Sequence, residues 1–131
     1  MNKKTKFLLY LIFIIGCSNI FDEDSLIEKD TLKYSNNSNS PFSGKVVGKY
    51  ATGEERVIGN YKGGKRVGNW VFLHKNGKDS EEGEYVNGKR NSEWNKWYDN
   101  GILASSGKYE DGMKEGIWKF WYNNGIKEKE S

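Results

Sequence analysis

The chain of 131 residues holds one cysteine, Cys17, and one histidine, His74. A single thiol excludes any disulfide within the chain. A single imidazole leaves neither a histidine-based nucleophile system nor a zinc site to build, and no Asp/Glu spacing matches a calcium loop. Leucine and isoleucine are scarce beyond Gly44, which argues against a two-layer sandwich with a thick aliphatic core. The uninterrupted apolar run at 7–15 would rise only about 14 Å as a helix against a hydrocarbon core of ~30 Å, so it is too short for a lasting transmembrane span. The net charge of +3 carries no excess that would predict binding to a phosphate backbone.

What the N-terminus does contain is a basic head, Lys3, Lys4 and Lys6, then the apolar run, then Ile14-Ile15-Gly16-Cys17. This is the layout of a secretory signal peptide over residues 1–16. The tetrapeptide resembles the lipobox of bacterial lipoproteins. That resemblance implies cleavage before Cys17, a diacylglycerol thioether on its sulfur and, in many bacteria, a further N-acyl chain. Two or more acyl chains, at roughly 0.8 kcal/mol per buried methylene, anchor a protein without any segment in the bilayer. Loss of the three lysines leaves a mature chain of balanced charge. Ser18 is not the aspartate associated with inner-membrane retention in some Gram-negative bacteria, so the expected location is the outer membrane or the cell surface. Residues 17–41, acidic at first and then rich in Ser and Asn, read as a flexible tether after the lipidated cysteine. A short helix at 24–32 is the competing expectation.

From 59 onward the chain repeats every 24 residues without a gap: 59–82, 83–106 and 107–130, preceded by a half unit at 42–58. Gly59, Gly83 and Gly107 coincide, followed by Tyr61, Tyr85 and Tyr109, then Gly64, Gly88 and Gly112, then Trp70, Trp94 and Trp118. His74, Tyr98 and Tyr122 share the next ring position, and Asn76-Gly77, Asn100-Gly101 and Asn124-Gly125 close the units. Such periodicity marks a stack of similar supersecondary units.

Within a unit, alternation before the tyrosine predicts one strand. The glycine-rich segment 62–68 predicts a turn, and the Trp-containing stretch a second strand. Asn-Gly predicts a type I′ hairpin turn with both residues left-handed. The expected strands lie near 44–50, 54–61, 69–74, 78–86, 93–98, 102–110, 117–122 and 126–130. They make an all-β, elongated, single-layer antiparallel meander of about three and a half units over 42–131. Glycines 59, 83 and 107 leave room for a large ring from the adjacent strand, and the rings, His74 included, stack in rows across the sheet.

The pattern G-x-Y-x-x-G-(K/M)-(R/K)-x-(G/S)-x-W-x-x-(L/W)-(Y/H)-x-N-G resembles the MORN repeat, in the longer bacterial variant of the YwqK antitoxin type. The departures are Ser92 for the glycine of Gly68 and Gly116, Met113 for lysine, and His74 for tyrosine. The resemblance implies protein scaffolding, with phospholipid head groups as a further partner class and toxin neutralisation as the role of that variant.

Chemistry finds little purchase. The acid pairs Glu54-Glu55, Glu81-Glu82 and Glu110-Asp111 point to opposite faces if they lie on strands. Gly63-Gly64-Lys65-Arg66 lacks the phosphate-loop pattern and the helix that must follow it. Two features suit binding. Lys65, Arg66, Lys89, Arg90 and Lys114 form an expected line of positive charge at the hairpin tips. Leu73, Trp97 and Trp121 form an expected exposed apolar strip on the face away from Trp70. The reading is a lipid-anchored, non-enzymatic protein-interaction module at the bacterial cell envelope, with membrane contact through Cys17 and one protein partner. A toxin neutraliser and a head-group or glycan binder are the alternatives. No cofactor, nucleic acid or small-molecule substrate is expected.

Overall fold

The computed structural model describes residues 19–131. The signal segment and Cys17 lie outside the described residues. The strands are β1 (Phe21–Asp22), β2 (Ile27–Lys29), β3 (Leu32–Tyr34), β4 (Gly44–Lys49), β5 (Glu55–Lys62), β6 (Lys65–Leu73), β7 (Asp79–Val86), β8 (Lys89–Trp97), β9 (Leu103–Glu110), β10 (Met113–Trp121) and β11 (Lys127–Glu130). From β4 to β11 they pair in chain order as an antiparallel meander, with β1 added in parallel beside β4, to give an open sheet of nine strands. β2 and β3 form a separate hairpin. The meander expected from the repeat is therefore present, strand for strand.

The two kinds of turn are placed otherwise than expected. Within the repeats the tight two-residue turns are Gly63-Gly64, Asn87-Gly88 and Asp111-Gly112, each with both φ values positive. They close directly between paired residues such as Val86 and Lys89, and positive φ at both central positions is the signature of type I′. At Asn76-Gly77 only the glycine is left-handed, at φ +84°. There the Gly77 N–H donates to the His74 carbonyl at 2.9 Å and the His74 N–H to the Lys78 carbonyl at 2.8 Å, which makes a three-residue loop with a glycine bulge. Asparagine serves here through its side chain. The Asn76 carbonyl oxygen accepts from the Lys78 N–H at 3.0 Å, and its amide donates to the Asp99 carbonyl of the next unit at 2.7 Å. Asn100 repeats both contacts on Ile102 and Asn123.

Strands β6, β8 and β10 begin four residues earlier than expected, because Gly68, Ser92 and Gly116 are bulge residues inside strands and not parts of a long turn. Their φ values are +68°, +60° and +65°. The bulge lets one residue of β5 face several of β6: Ile58 pairs Val71 while Asn60 pairs Val67. A carbonyl freed from the ladder is taken by the tryptophan, whose indole N–H donates to Asn60 at 3.2 Å, and likewise from Trp94 to Glu84 and from Trp118 to Lys108.

The core is a row of rings on one face. Trp70 and Trp94 are almost wholly buried, and Trp118, Tyr61 and Tyr85 nearly so. Each indole lies flat on a glycine of the preceding strand: a Cβ added at Gly59, Gly83 or Gly107 would stand 2.2 Å from the ring. The rings continue edge to face through Tyr61–Trp70 (5.2 Å), Trp70–Tyr85 (5.8 Å), Tyr85–Trp94 (5.1 Å), Trp94–Tyr109 (6.2 Å) and Tyr109–Trp118 (5.1 Å). Each such pair contributes roughly 0.5–1.5 kcal/mol beyond its buried area.

Residues 19–41 depart from both sequence expectations, coil and helix. Phe21 packs on Phe42 at 4.9 Å, starting the ring row, and Leu26 is buried. The β2–β3 hairpin crosses the first tight turn, with the Lys33 N–H donating to the Gly64 carbonyl at 3.0 Å and the Phe42 N–H to the Lys33 carbonyl at 2.7 Å. The segment caps the first edge of the sheet, and the contacts that order it lie far away in sequence.

Two substitutions check this geometry. Gly83→Ala drives a methyl into the Trp94 ring and is expected to lower stability by about 1–3 kcal/mol or more, read by urea denaturation. Ser92→Gly removes a left-handed non-glycine residue and is expected to raise stability by up to about 1 kcal/mol in the same assay.

Candidate functional site

The lysine and arginine of each Lys-Arg pair part company, because neighbours on a strand point to opposite faces. Lys65 and Lys89 stay at the exposed edge, where the stem of Lys65 lies 3.6 Å from the Cβ position of Gly88 and Lys89 pairs with Asp111 at 3.2 Å. Arg66, Arg90 and Lys114 fold back over the aromatic row, at 4.4 Å from Trp70, 4.1 Å from Trp94 and 4.3 Å from Trp118. The expected single line of tip charge is thus two lines, one facing solvent and one lying on rings. A cation over an indole face is worth about 0.5–2 kcal/mol, so Arg66, Arg90 and Lys114 are also part of the packing.

Arg66 is the most engaged. It donates to the Tyr85 hydroxyl at 3.3 Å and to Glu23 at 3.3 Å, and Tyr61 donates to the same Glu23 oxygen at 3.2 Å. Burial works against its charge, yet hydrogen bonds to the Tyr61 and Tyr85 oxygens outweigh this and hold the guanidinium above its usual pKa. Burial in turn pushes the Tyr61 phenol up. The other Glu23 oxygen accepts from Arg56 at 3.3 Å, and Arg56 reaches Asp24 at 2.6 Å. Glu23, with a side chain only 10% exposed, is therefore a clasp between the N-terminal segment and the repeats. Sequence reading missed it because Glu23 sits in an acidic, Ser/Asn-rich stretch with no local periodicity. Arg90, held against burial by Glu81 at 2.5 Å, is likewise raised.

His74 does not join the ring row. Its Nε2 lies 2.9 Å from the Trp97 carbonyl, as the Tyr98 hydroxyl donates to Trp121 at 2.9 Å and the Tyr50 hydroxyl to Leu73 at 2.6 Å. This position is a stitch from each unit to the next. Leu73, Trp97 and Trp121, expected as an exposed strip, are half-buried. Trp97 borders a shallow groove with Gly77, Lys78, Asp79 and Gly101. The large exposed apolar side chains are others: Ile20, Phe21 and Ile27 at the first edge, Val86 between, and Met113, Ile117, Tyr122 and Ile126 in the last unit.

Among the described residues no group of three or more His, Cys, Asp or Glu side chains is placed to hold a metal ion, and no helix is long and apolar enough to cross a membrane. No family model matches the chain, and no curated protein does. A solved structure titled "Crystal structure of GtfA/B complex bound to UDP and GlcNAc" aligns with all of this chain and 37% of its own, at 15% identity and a TM-score of 0.35. So slight a likeness carries no argument.

Glu23→Ala leaves Arg66 and Arg56 half-buried without this partner. It is expected to cost about 1–3 kcal/mol and, by hydrogen exchange, to release the amides of 21–34 while those of β6–β9 keep their protection.

Proposed function

We propose that the chain is a lipid-anchored, non-enzymatic interaction module of the bacterial cell envelope, held to the membrane at its first edge and to a protein partner at its last unit. The observation that carries this reading is the concentration of large exposed apolar side chains toward the two ends of the sheet, with Val86 alone between them among the described residues. Ile20, Phe21 and Ile27 are 37–53% exposed and begin three residues after Cys17. Acyl chains on that sulfur would bring this edge to the bilayer surface, where partly exposed apolar side chains are favourable. Because 19–41 packs on the sheet, the array would then stand at the membrane and not on a long leash.

Met113, Ile117, Tyr122 and Ile126 are 50–71% exposed in the unit furthest along the array from that edge. Tyr122 occupies the position at which His74 and Tyr98 reach a carbonyl of the next unit, and its ring is half exposed. Exposed apolar side chains spread along one unit in this way fit a protein surface. Ile117 borders a groove of about 390 Å³ with Ser92, Glu93, Ser106, Lys108 and Lys119, a mixed polar and apolar lining of the sort found in protein contacts.

Two experiments test the two halves. Metabolic labelling with a fatty-acid probe is expected to mark the wild-type chain and to leave Cys17→Ser unmarked; equal labelling of both would refute the anchor. Photo-crosslinking from position 117 in intact cells is expected to give a discrete adduct that disappears in the Met113→Asp/Ile126→Asp variant. An adduct pattern unchanged by those substitutions would refute the partner surface.

A further inference from the structure

The aromatic face is interrupted once. At the front-face position shared by 57, 81 and 105 the residues are Val57, Glu81 and Ser105, and at that shared by 72, 96 and 120 they are Phe72, Lys96 and Phe120. These positions are direct cross-strand partners, Val57 with Phe72, Glu81 with Lys96, and Ser105 with Phe120. In the first and last units the phenylalanine leans on its tryptophan, Phe72 on Trp70 at 6.2 Å and Phe120 on Trp118 at 6.4 Å. In the middle unit that ring is missing and a lysine takes its place.

What the missing ring leaves is a partly enclosed hollow of about 320 Å³ above Trp94, bordered by Arg90, Lys96, Ser105, Tyr109, Lys114 and Phe120. Three cations border it against one carboxylate, Glu81, which is taken up by Arg90 at 2.5 Å. Among the described residues no carboxylate is within ion-pairing reach of Lys96 or Lys114. Like charges converging on a concave, partly apolar surface raise the local potential and attract a counter-charge. Arg90 is pinned between Glu81 and the Trp94 face and forms a fixed wall of nearly neutral charge, so the positive potential of the hollow comes from Lys96 and Lys114. Lysines act on carboxylate and phosphate as mobile point charges.

We propose that this hollow binds a compact organic anion, a carboxylate or phosphate attached to a single saturated ring. The anionic group sits between the Lys96 and Lys114 ammonium groups with the Ser105 hydroxyl donating to it, and the ring's C–H face lies on Tyr109 and Phe120. The size of the hollow suits one six-membered ring with its charged substituent, and the polar hydroxyl and apolar ring walls match the two ends of such a molecule. The site does not rest on membrane anchoring, and although Tyr109, Lys114 and Phe120 belong to the last unit, Lys114 and Trp118 point to the face opposite their neighbours Met113 and Ile117.

The test titrates the full chain in mild detergent with glucuronate, glucose 6-phosphate and glucose, following tryptophan fluorescence, with calorimetry as a second readout. Saturable binding of one or both anions, weakened by salt, with no binding of glucose, is the expected result; which anion binds tells carboxylate from phosphate. Lys96→Phe restores the residue of the flanking units, so it is expected to keep or raise the melting temperature while weakening the anion at least about tenfold, the loss of one charge-assisted contact. Lys96→Gln gives the same reading if the phenylalanine variant does not fold. No saturable binding of either anion, glucose binding as tightly as the anions, or unchanged affinity in both Lys96 variants would overturn the proposal.

Discussion

Everything in this sheet depends on an indole lying flat on a glycine. A tryptophan can bury its whole face in a sheet one layer thick only if the strand beside it has no side chain at that point, and Gly59, Gly83 and Gly107 meet that condition for Trp70, Trp94 and Trp118. The bulge at Gly68, Ser92 or Gly116 frees a carbonyl for the indole N–H, so a buried polar group is satisfied without a second layer. The tyrosines then fill the space between one indole and the next, edge to face. The opposite side of each indole is covered by Arg66, Arg90 or Lys114. Sheet, cover and spacing are supplied within 24 residues and completed by the neighbouring unit.

Such a scheme makes the molecule quasi-one-dimensional, each unit touching only its neighbours. Two sets of stitches reinforce this along the hairpin tips: Asn76 and Asn100 reach the carbonyls of Asp99 and Asn123, and Tyr50, His74 and Tyr98 reach those of Leu73, Trp97 and Trp121. The ends are then the exceptional places. The first is capped by the packed segment 19–41 through Glu23. The last ends in β11, whose four residues Lys-Glu-Lys-Glu are all exposed and guard the edge against pairing with other chains.

Much of this was legible in the repeat. The eight meander strands, the glycine beneath each large ring and the ring row follow from residues that coincide at a spacing of 24. Less was legible where the backbone chose between two turn chemistries. Asn-Gly is compatible with a type I′ turn, but the side-chain contacts of Asn76 favour the glycine-bulge loop, while the tight turns fell to Gly63-Gly64 and its counterparts. Gly68 reads as a turn residue from sequence because a bulge inside a strand calls for the same positive φ. The faces of Lys65 and Arg66 needed the true start of β6, four residues earlier than the alternation suggested. Glu23 was invisible for another reason: its partners Arg56, Tyr61 and Arg66 are 33 to 43 residues away, and no local pattern reports a long-range ion pair. The Glu81–Lys96 exchange was present in the alignment all along, yet its meaning depends on knowing that the two face each other beneath the row.

Stability resides in each unit and its contact with the next. Inserting a second copy of 83–106 in register places another indole between a glycine and a tyrosine on either side. Urea denaturation of this longer chain should show both a higher midpoint and a steeper slope than the parent, since more surface is buried in one cooperative sheet. An unchanged or lower midpoint, or a transition that splits in two, would contradict it.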